Sequence, residues 1–491
     1  MKKEEQKNPN LFIHSIHKTI DWLDVQQKAA DAVVQVFSRI AKFNWLEPYK
    51  TPEQFIQFGS AFFISNEGYL LTNFHVVEET IGIQIQIPSL GKEQFDVEIV
   101  GVHPELDIAL LQLKKDELVR VRSLLGEISF IELGDSDKIY RTQEVLALGY
   151  PLGQQSLKST QGIVSGKEKF NMISYIQISA ALNPGSSGGP ALNSEGETIG
   201  ISFAGVEIAQ NVGYIIPINE IKSAIKGMQK LKLLRRPYFG GIFSISNQDM
   251  IDFLGNPPDG GFYIAKVFKD SLLEKGGAKE GDMLYAINEY AIDKYGEVSV
   301  DWSEDRISIF DLLNRYNLGD EIDFVIYRRG ERKNLKFNLQ ITKTLPIRFK
   351  YPSFEEIDYE IIGGMVVMDL TLNHVSILSE IDPVFLKYMK ADCQAYPKIL
   401  ITNIFHDSSA QRTRILEIGD IIAEVNEEVV NTLTDFRKAV QKSRQSGFLT
   451  IKTEDNIFSV MSLNKILDDE EFLSEKYFYK KSELIKMLWA R

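Results

Sequence analysis

From Ala32 to about Pro217 the chain runs in short apolar or alternating segments separated by turn residues, and this texture constrains the fold more than any other feature. Segments 33–37, 60–64, 69–72, 81–87, 97–102, 108–113, 145–148 and 198–201 read as strands. Many short strands with Gly, Asn and Pro between them, and few helical stretches, predict an all-β barrel or sandwich. Segment 219–234 then reads as a helix, with Asn219 as its N-cap and the basic end Arg235-Arg236-Pro237 as its stop. Ahead of the β-rich region, residues 1–30 form a lead-in in which Leu11, Phe12, Ile16, Ile20, Trp22 and Leu23 fall at loosely helical spacing.

The remainder contains an internal repeat. Gly281-Asp282-Met283-Leu284-Tyr285-Ala286-Ile287-Asn288 aligns with Gly419-Asp420-Ile421-Ile422-Ala423-Glu424-Val425-Asn426, at a constant offset of 138 residues. Each copy follows a β-like run, 262–267 and 399–404, and lies downstream of a Gly-Gly-apolar element, Gly240-Gly241-Ile242 and Gly363-Gly364-Met365. Two related modules joined by a Pro-containing segment, 343–359, account for this pattern. The 491 residues exceed what one core organises, and roughly 100–200 residues per domain gives three or so.

A net charge of −13 with no Lys/Arg-rich run opposes sequence-independent binding to nucleic acid or an anionic membrane. No apolar run approaches the roughly 18 residues needed to span a bilayer. The start of the chain has no apolar h-region and no small-residue cleavage site, so the sequence as given reads as cytoplasmic, or as periplasmic or organellar if a leader was removed. The single cysteine, Cys393, excludes an intramolecular disulfide and a Cys-based zinc site, and is expected to be a buried thiol. With no His-Glu-x-x-His run either, no metal or other cofactor is expected.

The run Asn183-Pro184-Gly185-Ser186-Ser187-Gly188-Gly189-Pro190 carries the chemistry. Its glycines let the backbone turn tightly and aim the N–H groups of Gly185 and Ser187 into one concavity. A nucleophilic serine also needs a base and an acid that orients the base. Of six histidines only His75 and His103 fall in the β-rich region. His103 precedes Pro104 and is expected in an exposed surface turn. His75 follows a strand, and Asp107 stands at the mouth of the apolar run 108–111. Gly-x-Ser-x-Gly also fits the α/β-hydrolase elbow, but that fold places acid and histidine after the serine. The order His75, Asp107, Ser187 is that of chymotrypsin.

At these residues the chain resembles the HtrA/Deg family of chymotrypsin-fold proteases carrying PDZ domains. The resemblance rests on Gly59-Ser60-Ala61-Phe62-Phe63-Ile64, Leu71-Thr72-Asn73-Phe74-His75-Val76-Val77, Asp107-Ile108-Ala109-Leu110-Leu111, Thr160-Gln161-Gly162-Ile163-Val164-Ser165, the Ser187 run, and Val212-Gly213-Tyr214-Ile215-Ile216-Pro217. Gly149-Tyr150-Pro151-Leu152-Gly153 and the second module look most like the plant Deg branch. The resemblance implies a mainly β chain: a chymotrypsin-like double β-barrel followed by two PDZ-like α+β domains. Carried over residue by residue, it implies a triad of His75, Asp107 and Ser187, and a backbone oxyanion hole at Gly185, Ser186 and Ser187. Val212 and Gly213 would wall a substrate pocket for a small or medium aliphatic side chain. Two departures stand out: Ser186 where the family has Asn, and Ser179 where it usually has Asp.

The resemblance further implies ATP-independent degradation of misfolded or damaged proteins by a homo-oligomer, a trimer or multiple of trimers. Phe239-Gly240-Gly241-Ile242 would bind peptide C-termini in the first PDZ domain while the peptide adds as a strand. For Gly363-Gly364-Met365-Val366 an assembly role stands beside peptide binding. The expected divisions are a lead-in at 1–30, a protease domain at 31–234, PDZ-like domains at 238–343 and 355–465, and a helical tail at 466–491. The alternative is a catalytically quiet holdase or PDZ scaffold, toward which Ser179 leans.

Overall fold

The computed structural model describes residues 21–170, 173–203, 212–340 and 344–490. The part of the lead-in before Asp21 lies outside the described residues; the helix Trp22–Ala29 follows, its N-cap Asp21 accepting from the Leu23 and Asp24 N–H groups.

Strands β1 (Val33–Lys42), β2 (Glu53–Phe63), β3 (Tyr69–Asn73), β4 (Thr80–Gln86), β5 (Gln94–His103) and β6 (Ile108–Leu113) close into one barrel in the order β1-β2-β3-β6-β5-β4. Strands β7 (Glu144–Gly149), β8 (Lys158–Phe170), β9 (Ile173–Ile178), β10 (Pro190–Leu192), β11 (Thr198–Phe203) and β12 (Gly213–Pro217) close a second barrel in the same relative order. The period of two explains why these sequences make barrels that also pack on each other. On β3, Leu70 fills the first barrel while Leu71 enters the layer between the barrels; on β6, Leu111 and Leu110 divide likewise. Val145, Val164, Ile176, Ile178 and Ile215 fill the second barrel. Phe62, Leu148, Tyr150, Tyr175, Ile201 and Ile216 join the shared layer. Burial on both sides is why 108–111 is apolar without alternation.

Three local expectations are corrected. The helix is Ile218–Met228, capped by Pro217 at the end of β12, so Asn219 lies inside it. There its side-chain amide donates to Asp135 at 2.7 Å. Beyond Met228 the backbone leaves the helix to pair with β5, the Val102 N–H donating to Lys232 O at 3.0 Å and the Leu234 N–H to Val102 O at 2.8 Å. His103, the next residue, is buried rather than exposed, with Nδ1 3.2 Å from Glu105. Cys393 is half-buried rather than buried.

The internal repeat is structural. In the first module, strands Gly241–Ser244, Phe262–Val267, Met283–Ile287, Glu321–Arg328 and Glu331–Asn338 form an antiparallel sheet in that order. In the second, Met365–Asp369, Ile399–Ile404, Ile421–Val425, Phe448–Thr453 and Phe458–Ser462 repeat the order. The copies share a detail: Gly240 and Gly364 both have positive φ, and a Cβ at either would lie about 2 Å from the Cβ of a serine, Ser271 or Ser408, that caps a helix.

They differ at one edge. In the first module Gly241–Ser244 ends the sheet. In the second an extra strand, Tyr359–Ile362, pairs antiparallel with Met365–Asp369 from Tyr359↔Met368 to Ile362↔Met365. Gly363 and Gly364, at φ +58° and +81°, make the two-residue turn, the conformation a tight hairpin requires. Arg437, on the helix Leu433–Gln441, holds this strand. Its guanidinium donates to Glu360 at 2.7 Å, to both Asp358 oxygens at 2.6 and 2.8 Å, and to Tyr359 O at 2.9 Å. Glu360 is 1 % exposed, so its charge depends on that partner. Arg437→Ala is expected to lower unfolding free energy by about 3 kcal/mol, the scale of stranding a buried charge. Denaturant titration of the variant checks this, and a change within about 0.5 kcal/mol, as for an ordinary surface site, would count against it.

Candidate active site

His75 lies in the turn Phe74–Val77, which continues β3 directly. Asp107 lies at the start of β6 in the left-handed region, φ +55°, as the residue ending the turn Pro104–Leu106. This conformation lets one residue grip the His75 turn at several points. Asp107 Oδ1 accepts the His75 backbone N–H at 2.8 Å, and Oδ2 meets His75 Nδ1 at 2.7 Å. Its carbonyl accepts the Phe74 N–H at 3.0 Å and the Asn73 side-chain amide at 3.0 Å. The ring is thereby fixed with Nδ1 toward the acid and Nε2 away from it.

Burial works against an imidazolium here, but the hydrogen bond and charge of Asp107, with the charge of Glu78, outweigh it and raise the His75 pKa. Glu78 is itself pushed up to about 7 by burial and by the neighbouring charges of Glu79 and Asp107. Phe203, at the end of β11, stands edge-on to the His75 ring at 6.1 Å and stacks on Tyr175 at 5.2 Å. Sequence reading missed this apolar wall; an aromatic at the end of the first strand after the serine run is the signal it could have used.

The serine run is a tight turn on the second barrel, facing the first. Ser187 is 5 % exposed and Ser186 is 8 % exposed. Gly185 has φ +94°, and a Cβ there would stand 2.6 Å from Tyr150 O, so the position admits only glycine. Successive peptide groups are pinned: Pro184 O accepts from Leu152 N at 2.7 Å, Ser186 N donates to Asn183 O at 2.9 Å, and Ser186 O accepts from Gly189 N at 3.1 Å. The Ser186 N–H is therefore already engaged inside the turn, and it drops out of the three-residue oxyanion hole expected from sequence.

Ser179 also finds a role. Its Oγ accepts the Ile163 N–H at 2.9 Å and its own N–H donates to Ile163 O at 2.9 Å, bridging β8 to the approach of the serine loop. Val212 is half-buried and Gly213 is buried at the start of β12. A Cβ on Gly213 would meet Ala180 O at 2.5 Å, Leu182 Cγ at 3.0 Å and Ile178 Cγ1 at 3.1 Å, so the position has room only for glycine. In the first module Phe239 O accepts from Leu273 N at 2.9 Å and Gly240 O from Phe268 N at 2.8 Å, fixing the loop that leads into the edge strand. Among the described residues no group of three or more His, Cys, Asp and Glu side chains could hold a metal ion.

A family model described as a trypsin-like peptidase domain matches residues 59–201, and one described as a PDZ domain matches residues 389–454. A Marinomonas sp. protein named "Probable periplasmic serine endoprotease DegP-like" is 26% identical over 79% of this chain and 75% of its own length. A Hahella chejuensis protein of the same name is 24% identical over 85% of this chain and 83% of its own length. The solved structure "HtrA-type protease AlgW with decapeptide" superposes with a TM-score of 0.50 at 25% identity, covering 66% of this chain and 99% of that one. These relatives correct the cytoplasmic expectation, since both proteins are named periplasmic. That expectation rested on finding no leader motif near Met1, and a missing motif does not fix a compartment.

The His75 ring is expected to titrate above the ordinary imidazole value of about 6.5. Asp107→Asn should bring the midpoint down, because it removes the charge that favours the imidazolium, and Glu78→Gln should do so by less. Imidazole chemical shifts followed against pH read all three, and an Asp107→Asn midpoint equal to or above that of the parent chain would contradict the assignment.

Proposed function

We propose that this chain, an HtrA/DegP-family serine protease with a trypsin-like domain and a PDZ domain, hydrolyses peptide bonds of unfolded or damaged proteins with Ser187 as nucleophile, His75 as general base and Asp107 as the acid that orients it. The observation that carries this reading is the two-point grip of one carboxylate on His75, at 2.8 and 2.7 Å, beside a pinned glycine turn holding Ser187. With Nδ1–H directed at Asp107, the imidazole Nε2 takes the proton as Ser187 Oγ attacks the carbonyl carbon. The oxyanion receives the N–H groups of Gly185 and Ser187. His75 then returns its proton to the departing amine, leaving an acyl group on Ser187. Water attacks the ester with His75 again as base, releasing the acid and restoring the serine.

Following the family resemblance, we propose that Val212 and Gly213 wall a pocket that prefers a small or medium aliphatic side chain before the cleaved bond. We divide the chain at 31–234, 238–343 and 355–465. The helical tail expected at 466–491 packs onto the last module, with Ile466, Leu484, Ile485 and Leu488 in the same core. Assembly as a trimer or multiple of trimers follows the family. No nucleotide enters the reaction.

The two modules take different roles in this reading. The first offers Phe239-Gly240-Gly241-Ile242 to a peptide carboxylate and the edge Gly241–Ser244 to the peptide's backbone, with Phe243 and Phe310 at the apolar floor. In the second, Tyr359–Ile362 already fills the matching edge, so it serves packing rather than capture.

Purified protein is expected to cleave casein, and Ser187→Ala to lose on the order of 10³-fold or more of that rate. Equal cleavage by both would remove Ser187 from its role, and no cleavage by either, with casein still held soluble, would favour the holdase. Calorimetric titration of Ser187→Ala with a peptide ending in an apolar residue should give one site per chain, lost when the peptide is amidated. Two sites per chain would overturn the division between the modules.

A further inference from the structure

The loop that carries Ser187 belongs to the second barrel, yet one residue of the first barrel touches it at two points. Ser60, on β2, is fully buried. Its N–H donates to Ser187 O at 2.9 Å. Its hydroxyl donates to Gly185 O at 2.8 Å and accepts the Tyr150 N–H at 2.9 Å. Its carbonyl in turn accepts the Thr72 hydroxyl at 2.7 Å, which ties it to β3, the strand that runs into the His75 turn. A Cβ on Gly188 would stand 2.0 Å from Ser60 O, so the approach is as close as backbone allows.

We propose that Ser60 is a positioning residue for the oxyanion hole, and that its hydroxyl sets the plane of the Gly185–Ser186 peptide and so the aim of the Gly185 and Ser187 N–H groups. The inference rests on Ser187 being the nucleophile. The physical reason is the arrangement of donors and acceptors. A peptide group that turns carries its neighbours with it, and Gly185, with no Cβ, is the joint at which the turn can move. The Ser187 side of the turn is fixed by the Ser60 backbone, which any residue would supply. The Gly185–Ser186 peptide is held at its N–H by Asn183 O, at 2.9 Å, and at its carbonyl by the Ser60 hydroxyl, which an alanine would not supply. Without it Gly185 O and Tyr150 N lose their shared partner, and the peptide can rotate away from the direction a developing oxyanion needs. Substrate binding in the ground state makes little use of that direction; the tetrahedral state depends on it.

Ser60→Ala is expected to lower kcat/KM at least tenfold, nearly all of it in kcat, with KM within about twofold, on the scale at which single oxyanion contacts act. A peptidyl trifluoromethyl ketone forms a tetrahedral adduct with the serine and reads the hole directly. Its Ki should rise by the same factor as kcat falls, while the Ki of the matching unreactive alcohol stays put. Thr72→Val, which removes the hydroxyl that anchors Ser60, should move both quantities in the same direction by less, and stands in if Ser60→Ala fails to fold. A trifluoromethyl ketone Ki unchanged in a folded variant, or kcat within twofold of the parent chain, would overturn the proposal. Failure of the ketone to form its adduct with the parent chain, or an adduct undiminished by Ser187→Ala, would instead overturn the assignment of the nucleophile.

Discussion

The contact of the first barrel with the serine turn of the second, through Ser60 N–H and Ser187 O at 2.9 Å, is the constraint on which the site depends. His75 and Asp107 belong to the first barrel, Ser187 to the second, and neither barrel holds a complete set. The shared apolar layer from Phe62, Leu71 and Leu110 on one side to Leu148, Tyr150 and Ile216 on the other fixes the two bodies. Burial of that layer gives the large, non-directional part of the attraction. Hydrogen bonds across it, each modest in net energy, decide the register to fractions of an ångström. Catalytic geometry needs the second kind of precision and the first kind of strength.

The same logic separates the two modules. Their sheets repeat strand for strand, and in each a glycine of positive φ lies against a helix-capping serine. A sheet edge with open N–H and C=O groups attracts another strand. The second module satisfies its edge with its own chain and locks the added strand with Arg437, whose charge is matched by Asp358 and the buried Glu360. In the first module the homologous edge has no such strand among the described residues. One architecture thus yields a surface that offers binding and a surface that has already bound.

Much of this was legible in the sequence because it follows from local pattern. Period-two apolarity marked the strands, and the order of His75, Asp107 and Ser187 selected the fold. What was missed depends on contacts between distant segments. Asn219 looks like a helix cap, but Pro217 ends a strand so abruptly that the helix begins one residue before it. His103 precedes a proline, the mark of an exposed turn, yet it ends β5 where residues 232–234 pair with Val102, and it is buried. For the Gly363-Gly364 pair the sequence leaves peptide binding and an assembly role side by side. The apolar runs on both sides of it, Ile361-Ile362 and Met365-Val366, carried a hairpin signal that local reading could have weighed. Ser60 could not have been ranked in this way, since its role arises only where two barrels meet.

The His75 turn is held from its outer side as well as from within. Phe74, beside His75, is buried under the segment that links the modules, edge-on to Tyr351 at 5.3 Å and near Phe354 at 6.4 Å. Arg235, just past the end of the barrels, lies over the Tyr351 ring at 5.1 Å and binds Glu355 at 2.6 Å, and Glu355 also binds Arg348 at 2.6 Å. At the far end, the β1–β2 loop of the first barrel reaches the second module. There Trp45 meets His374 edge-on at 5.2 Å and accepts at its carbonyl from His374 Nε2 at 3.1 Å, while Tyr49 packs on Phe405 at 5.0 Å. Burial pushes His374 down to about 3, so it stays neutral and able to serve this contact across the range in which His75 titrates. The segment linking the modules thus packs behind the His75 turn, and the second module is anchored to the same barrel through the β1–β2 loop.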